Sequence, residues 1–187
     1  MKKVAILQSN YIPWKGYFDI IAAVDEFIIY DDVQFTKNDW RNRNKIKTPN
    51  GVEWISIPVG QGINRRIRDV TLVDNGWNLK HWNMLKSNYA RAGHFNEVRE
   101  WLEPIYLNFK SENLSSFNRQ LIEAVCSYLG IKTKLSNSWD YSLGIGKTER
   151  LVGLCQQTMA TEYISGISAK EYIEEHLFNV AVQGRDF

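Results

Sequence analysis

Residues Val4 to Asp32 read VAILQSNYIPWKGYFDIIAAVDEFIIYDD, and this stretch decides the fold. Val4–Leu7 is a short apolar run rich in β-forming residues, which predicts a buried strand. Tyr17–Val24 has apolar residues on one face at helical spacing, and Glu26–Tyr30 is a second apolar run. A strand, a helix and a strand within about thirty residues predict a βαβ unit with parallel strands.

The chain after residue 130 returns to the same alternation of short apolar runs and helix-length segments. Such an alternation predicts a Rossmann-like α/β fold, a parallel sheet with helices on both faces. The predicted elements are strand Thr133–Ser136, helix Thr148–Met159, strand Glu162–Ile164, helix Ala169–Leu177 and strand Asn179–Val182.

An insertion at about 36–75 and a helical segment at about 77–130 separate the two alternating regions. Asn50-Gly51 is a strong turn signal, so the flanking runs predict an antiparallel β-hairpin. Ile67–Val73 alternates and predicts a third strand. The remaining predictions are hairpin strands Asn44–Thr48 and Glu53–Val59 and helices Asn78–Ala92, Phe95–Tyr106 and Ser115–Leu129. Because the sequence shows no repeat and no linker, we expect residues 1–187 to form a single α/β domain.

Charge and composition limit the kind of partner. The net charge is only +2, but five basic residues lie between Lys37 and Lys47 on an otherwise mildly acidic chain. This local concentration of positive charge favours a small anionic ligand, such as a nucleotide or nucleotide-sugar, over nucleic acid. The first apolar run is too short for a signal peptide and no run is long enough to enter a membrane, so we expect a cytoplasmic protein. Two isolated cysteines predict no metal site, and nothing in the sequence predicts a cofactor.

The loop between the first strand and helix is the strongest candidate site. Ligands of open parallel sheets bind beyond the carboxyl ends of the strands, where a helix N-terminus favours an anion. The residues expected to contact the ligand are Gln8, Asn10, Tyr11, Gly16 and Tyr17. The alternative is that the loop is only a turn whose aromatic rings pack inward.

Other candidates follow the second strand and lead into the hairpin. Asp31, Asp32 and Gln34 stand where a carboxylate meets a ribose hydroxyl, holds a metal, acts as a base, or simply neutralises nearby cations. Trp40 offers a stacking face, and Arg41, Arg43 and Asn44 suggest a clamp over a phosphate, although such a charge run is usually a solvated face.

Two more segments carry candidate phosphate ligands. Ser168 and Glu171 have capping-box spacing, and a Ser-Gly-x-Ser turn opening a helix, here Ser165, Gly166 and Ser168, is also suited to phosphate. Lys147 lies in a glycine-rich segment, but Tyr141 stands where a P-loop requires its first glycine. Lys147 is kept as a phosphate contact only.

His81 is the histidine we consider as a general base, together with Asp31 and Asp32 as the catalytic set. A satisfied core or surface histidine is the commoner case.

The motifs resemble the WbqC-like protein family across nearly the whole chain. They are Gln8-x-Asn10-Tyr11-x-Pro13-Trp14-x-Gly16-Tyr17-Phe18, Asp31-Asp32-Val33-Gln34, Trp40-x-Asn42-Arg43-Asn44-x-Ile46, Trp77, His81, Tyr89 and Tyr163-x-Ser165-Gly166-x-Ser168-x-x-Tyr172. The resemblance implies a bacterial protein of O-antigen or other surface-polysaccharide biosynthesis, for which a glycine-transferring role has been suggested. It also implies an aromatic, Pro-containing C-terminal tail after Phe187, which we expect to be absent from this protein.

A weaker resemblance is to the HIGH-type nucleotidylyltransferases. Pro13-Trp14-Lys15-Gly16-Tyr17 is similar to their Pro-His-x-Gly-His motif, with Trp14 and Tyr17 in place of both histidines. Ile164-Ser165-Gly166-Ile167-Ser168 is similar to their Ile-Ser-x-Thr phosphate motif. The scaffold is expected to persist without that family's adenylyl transfer.

Together these features lead to the hypothesis of a transferase that moves an aminoacyl or acyl group to a nucleotide-linked amino sugar. A non-catalytic nucleotide-binding module and a degenerate nucleotidylyltransferase are the alternatives. Single-stranded RNA binding through Trp40, Arg41 and Arg43 is disfavoured by the acidic remainder of the chain.

Overall fold

The structure is a computed structural model, and it describes residues 1–62, 64–166 and 178. It confirms a mixed α/β architecture with a parallel sheet and an antiparallel hairpin. The described elements are β1 (Lys3–Leu7), α1 (Lys15–Ala22), β2 (Glu26–Ile29), β3 (Arg43–Thr48), β4 (Gly51–Ser56), α2 (Trp77–Tyr89), α3 (Phe95–Asn108), α4 (Leu114–Tyr128), β5 (Lys134–Asn137), α5 (Lys147–Gln157) and β6 (Glu162–Ile164).

The chain forms two compact units. The first, here called the sheet unit, comprises Met1–Gln8, Trp14–Asp32 and the described part of Ile131–Phe187. The second, here called the hairpin unit, comprises Ser9–Pro13 and Val33–Gly130.

The sheet unit is built on four parallel strands in the order β5-β2-β1-β6. Val4, Ala5, Phe27 and Ile28 are fully buried in the two central strands, as continuous apolar runs in a parallel sheet should be. The predicted βαβ unit is confirmed, because β1 and β2 pair in parallel, with Val4 beside Glu26. The predicted helix Ala169–Leu177 and strand Asn179–Val182 lie outside the described residues.

The hairpin unit combines β3 and β4 with α2, α3 and α4 around its own aromatic core. The turn between the strands contains Gly51 at φ 108°, a conformation that glycine adopts without strain. Helix α4 begins after Asn113, whose side chain accepts a hydrogen bond from the Ser116 amide, and it is followed by Gly130 at φ 71°. The predicted hairpin and the predicted end of α4 are therefore confirmed.

One predicted element of the hairpin unit is wrong. The segment Ile67–Val73 is not a strand; it opens with a 3-10 turn over Ile67–Asp69 and then makes isolated bridges. Ile67 and Val70 are both fully buried, and a spacing of three residues on the buried side fits a tight helical turn rather than a strand. The backbone of this segment bonds to several different loops, such as the Leu72 amide to the Glu112 carbonyl.

None of the helices in the described part of the chain has both the length and the apolar character needed to cross a bilayer.

Candidate functional site

The outer face of the β3–β4 hairpin is basic and aromatic. Strand alternation places Ile46 and Ile55 in the core, so their neighbours along each strand point outward. The register pairs Lys45 with Trp54 and Lys47 with Val52 on that outer face. The hairpin thus displays cations beside apolar side chains.

Trp54 is surrounded by charged and aromatic neighbours on this face. The Cζ atom of Arg43 lies 4.2 Å from the ring centroid of Trp54, and Nζ of Lys45 lies 4.9 Å from it. The Trp40 ring packs at a tilt with its centroid 5.6 Å from that of Trp54. Cation–π contacts of this kind fix the orientation of the indole.

A pocket of about 590 Å³ opens beside the hairpin, within the hairpin unit. Among the described residues, its wall contains two cations and several side-chain amides, and no carboxylate, imidazole or thiol group. The lining residues are Phe35, Lys37, Asn38, Asn42, Arg43, Ser56, Ile57, Pro58, Val59, Gly60, Gln61 and Gly62. An excess of donors without an acidic partner favours a negatively charged guest.

Two arginines at this pocket carry a buried donor with no partner. Nε of Arg43 and Nε of Arg65 are both buried and make no hydrogen bond within the described part of the chain. Arg65 does not line the pocket itself, but it donates to the Gly60 carbonyl at 2.8 Å and lies over the Phe35 ring at 5.7 Å. Buried polar groups are normally satisfied, so these donors call for an acceptor.

Asn38 holds the Arg43 guanidinium at the pocket. It accepts from Arg43 through its side-chain oxygen at 3.4 Å and through its backbone carbonyl. Asn38 has φ 64°, a left-handed conformation that is uncommon for a residue with a side chain. Such backbone conformations concentrate at binding sites.

The sequence analysis found Arg43 but missed most of this pocket. Lys37, Asn38, Arg65 and Trp54 were not among the predicted site residues, and neither was the 60–62 loop. A Gly-Gln-Gly tripeptide close before Arg65-Arg66 is the signal that was present in the sequence.

Other predicted site residues of the hairpin unit contact one another instead of lining the pocket. Arg41 donates to the Ser9 carbonyl at 3.3 Å, to the Asn10 side chain, and pairs with Asp39 at 3.5 Å. Asn44 donates to the Tyr11 carbonyl at 3.2 Å. These contacts fasten residues 9–12 to the start of the hairpin.

Gln34 is placed apart from this cluster. It is exposed and forms an isolated antiparallel bridge with Arg66. Its predicted part in ligand binding stays a prediction, as do those of Arg41, Asn10 and Asn44.

His81 belongs to a buried chain of hydrogen bonds. Its Nδ1 lies 2.8 Å from the Tyr11 hydroxyl, which lies 2.7 Å from the Tyr106 hydroxyl. The Ser56 backbone lies where it favours the protonated imidazole. Burial lowers the pKa of His81 to about 4, although the Ser56 backbone opposes this, and the ring is neutral at pH 7. Its role as general base stays a prediction.

The predicted loop residues of the sheet unit make local contacts. The Tyr17 hydroxyl donates to the Gln8 carbonyl at 3.1 Å. A Cβ atom at Gly16 would clash with the indole of Trp14, so the group that closely approaches this glycine is the chain's own tryptophan.

The two strand-end carboxylates are buried in the sheet unit. Asp31 is fully buried, and Asp32 accepts a hydrogen bond from the Ser138 hydroxyl at 2.7 Å. Their catalytic role stays a prediction.

The predicted phosphate contacts of the sheet unit lie in different local environments. Lys147 begins α5, where a Cβ at Gly146 would clash with the Glu149 carboxylate that folds back over the helix start. Ser165 is exposed and Gly166 is half-buried, whereas Ser168 lies outside the described residues. Their roles in ligand binding stay predictions.

Glu26 is a buried charge that the sequence analysis did not identify. It pairs with Lys2 at 2.8 Å and Lys134 at 2.9 Å, and it accepts hydrogen bonds from Ser136 and Tyr141. Burial by itself raises the pKa of Glu26, but these four partners outweigh it and lower the pKa to about 2. The cluster stabilises the amino ends of the strands.

Within the described part of the chain, no group of three His, Cys, Asp or Glu side chains is placed to hold a metal ion.

Comparison with known proteins gives one relative and one family. An uncharacterized protein of Mycobacterium tuberculosis, Rv1507c, is 58% identical over 182 residues, which cover 96% of this chain and 78% of the relative. No solved structure matches the chain significantly. The WbqC-like protein family matches residues 8–183. With the predicted motifs in both units and this match over nearly its whole length, the chain belongs to the WbqC-like protein family.

Proposed function

We propose that the protein binds the phosphates of a nucleotide-linked sugar in the hairpin-unit pocket and serves surface-polysaccharide biosynthesis. The observation that carries the proposal is the Nε donor of Arg43, which has no partner among the described residues, at a pocket whose described lining contains no carboxylate; Arg65, beside the pocket, carries a second such donor. Both Nε atoms are covered by the protein, so a phosphate satisfies them with charge-assisted hydrogen bonds only when the guanidinium groups turn toward it.

The size and chemistry of the pocket fit such a ligand. A volume of about 590 Å³ lies within the range of small-molecule and cofactor sites. Lys37 adds a second cation to the lining, and Asn42, Asn38 and Gln61 supply amides that can meet sugar hydroxyls. Membership of the WbqC-like family is consistent with a role in polysaccharide biosynthesis.

The reaction we propose is transfer of an aminoacyl or acyl group to an amino sugar. The amino nitrogen forms an amide bond with the acyl carbon, the bond from that carbon to its carrier breaks with the electron pair leaving on the carrier, and the proton of the nitrogen passes to a base. His81, which lies in the same unit as the pocket, is the predicted base that takes this proton, and Asp31 and Asp32 stay predicted catalytic residues.

A non-catalytic nucleotide-binding module is a second candidate, which one observation favours. None of the described residues that line the pocket bears a carboxylate, an imidazole or a thiol that could act as a general base. Binding without turnover would suit this lining.

The binding test uses inorganic pyrophosphate and a panel of uridine diphosphate-linked amino sugars, measured by calorimetry and thermal shift. We expect binding that Lys37→Ala weakens about tenfold, because an ammonium–phosphate contact is lost. Lys47→Ala is the matched control. The substitution removes the same charge from the outer face of the hairpin, and Lys47 does not line the pocket. If neither probe binds at millimolar concentration, the proposal is wrong.

The two candidates separate in a turnover assay. Incubation of the protein with a bound amino-sugar nucleotide and an activated aminoacyl donor, followed by mass spectrometry of the sugar, detects amide formation. A bound but unchanged sugar supports the module and contradicts the transferase.

A further inference from the structure

Two exposed tryptophans lie in contact beside the pocket. Trp40 and Trp54 are each 45% exposed, whereas Trp77 and Trp82 in the same unit are 6% and 2% exposed. Exposed indole surface costs free energy that burial would recover. A paired exposed surface of this kind is typical of a binding platform for planar rings.

The platform is held in place before any ligand arrives. Trp54 is fixed by Arg43 and Lys45, and Trp40 packs on Trp54. Trp40 is itself positioned by its backbone, because its carbonyl accepts a hydrogen bond from the Tyr11 amide at 3.0 Å. A platform already ordered loses little conformational entropy when a ligand binds.

Arg43 connects this platform to the pocket. Its guanidinium lines the pocket and also lies 4.2 Å from the Trp54 ring centroid. A phosphate that pairs with Arg43 therefore places the next group of the same ligand within reach of the indole. The cations on this face suit an anionic ligand, and the indoles suit its aromatic part.

We infer that Trp54 and Trp40 stack the base of the nucleotide whose phosphates occupy the pocket. This inference rests on the proposed function and narrows its ligand class to nucleoside diphosphates and their derivatives. Stacking on an indole accepts every base, because each base has a π face. Recognition of the base is thus expected to be broad, and discrimination is left to the sugar.

The experiment compares pyrophosphate with uridine diphosphate and adenosine diphosphate by calorimetry. We expect both nucleotides to bind about tenfold more tightly than pyrophosphate. Trp40→Ala, which removes no contact of Arg43, should abolish most of this advantage and leave pyrophosphate affinity unchanged. Trp54→Phe should retain much of it, and Trp54→Ala should lose it.

Trp139→Ala is the matched control, because Trp139 is 38% exposed in the sheet unit and lies far in sequence from the hairpin. Equal affinities for pyrophosphate and both nucleotides would overturn the stacking inference and leave the pocket proposal standing. The same holds if Trp40→Ala weakens all three ligands equally. If none of the three ligands binds, the proposed function is wrong, and this inference is wrong with it.

Discussion

The sheet unit and the hairpin unit differ in whether their buried charged groups have hydrogen-bond partners. In the sheet unit, Glu26 has four partners, Asp32 accepts from Ser138, and Glu149 folds over the start of its own helix. In the hairpin unit, Arg43 and Arg65 keep buried donors without a partner in the described residues.

This difference indicates where a ligand is needed. A buried group that is already satisfied contributes to stability and gains little from an added ligand, whereas an unsatisfied donor costs about 1–3 kcal/mol until an acceptor arrives. Substitutions of charged residues should accordingly change stability in the sheet unit and ligand affinity at the pocket of the hairpin unit.

The largest expected effect is a loss of stability in mild acid that originates in the hairpin unit. The folded pKa of His81 is about 4, below its ordinary value of 6.5, so the unfolded chain binds the extra proton between these values. The stabilisation that comes from neutral His81 is present above pH 6.5 and is lost as the pH falls toward 4. The free energy of unfolding changes by about 3 kcal/mol over this range. Denaturant titrations across this range measure the free energy of unfolding.

The control variants make this first prediction specific. His81→Gln should be less stable at pH 7, because it breaks the chain to Tyr11, but should lack the decline assigned to His81. His94→Gln should keep the decline, since His94 is 84% exposed at its side chain. An unchanged pH profile in His81→Gln contradicts the assignment.

The sheet unit should show its own acid transition at lower pH. The folded pKa of Glu26, about 2, lies below its ordinary value of 4.5. The stabilisation is therefore present above pH 4.5 and is lost as the pH falls toward 2.

Glu26→Gln tests the same cluster at neutral pH. We expect a loss of about 2 kcal/mol in the free energy of unfolding, because Lys2 and Lys134 lose their shared carboxylate but can still reach water. Glu162→Gln, which breaks the exposed pair with Lys3 at 3.4 Å, should cost less than about 0.5 kcal/mol. Equal costs for the two variants would remove the contrast between buried and exposed carboxylates.

Within the hairpin unit, two neighbouring arginines should separate binding from stability. Arg43→Ala should weaken pyrophosphate binding about tenfold with little change in melting temperature, because its side-chain contacts within the described residues are with Asn38 and with the Trp54 ring. Arg41→Ala should lower stability by about 1–2 kcal/mol and change the affinity less, because it fastens Ser9 and Asn10. The reverse pattern would show that the pocket is not the anion site.

The smallest expected effect concerns the loop before α1. Gly16→Ala should cost less than about 1 kcal/mol, because the clashing Trp14 ring is 65% exposed and can rotate away while alanine favours the helix. The double variant with Trp14→Ala should be at least as stable as Trp14→Ala. A large loss in Gly16→Ala that persists in the double variant would mean that the backbone at position 16 matters for another reason.

The sequence was most informative where a local pattern has one structural outcome. Apolar runs in β1 and β2 predicted the parallel pair, and Asn50-Gly51 predicted the hairpin. The alternation of Ile67–Val73 was misleading, because the buried positions turned out to lie three residues apart. Glu26 was missed since its partners Lys2, Ser136 and Lys134 come from distant parts of the chain.

The candidate site was only partly predictable for the same reason. Arg43 and Trp40 stood out by residue type. Trp54 comes next to them only because β3 and β4 pair, and the 60–62 loop only because the chain folds back to the pocket after β4. His81 was conspicuous as a histidine, yet burial next to Tyr11 and Tyr106 is what sets its pKa.

The sequence by itself determined the class of fold, the hairpin and the membership of the WbqC-like family, because apolar periodicity, turn residues and motifs are local properties of the chain. Only the tertiary structure decided which polar groups are satisfied and which are left to a ligand. Hydrogen bonding and burial depend on residues far apart in sequence, and Arg43 and Arg41 differ in just this respect although they are two positions apart.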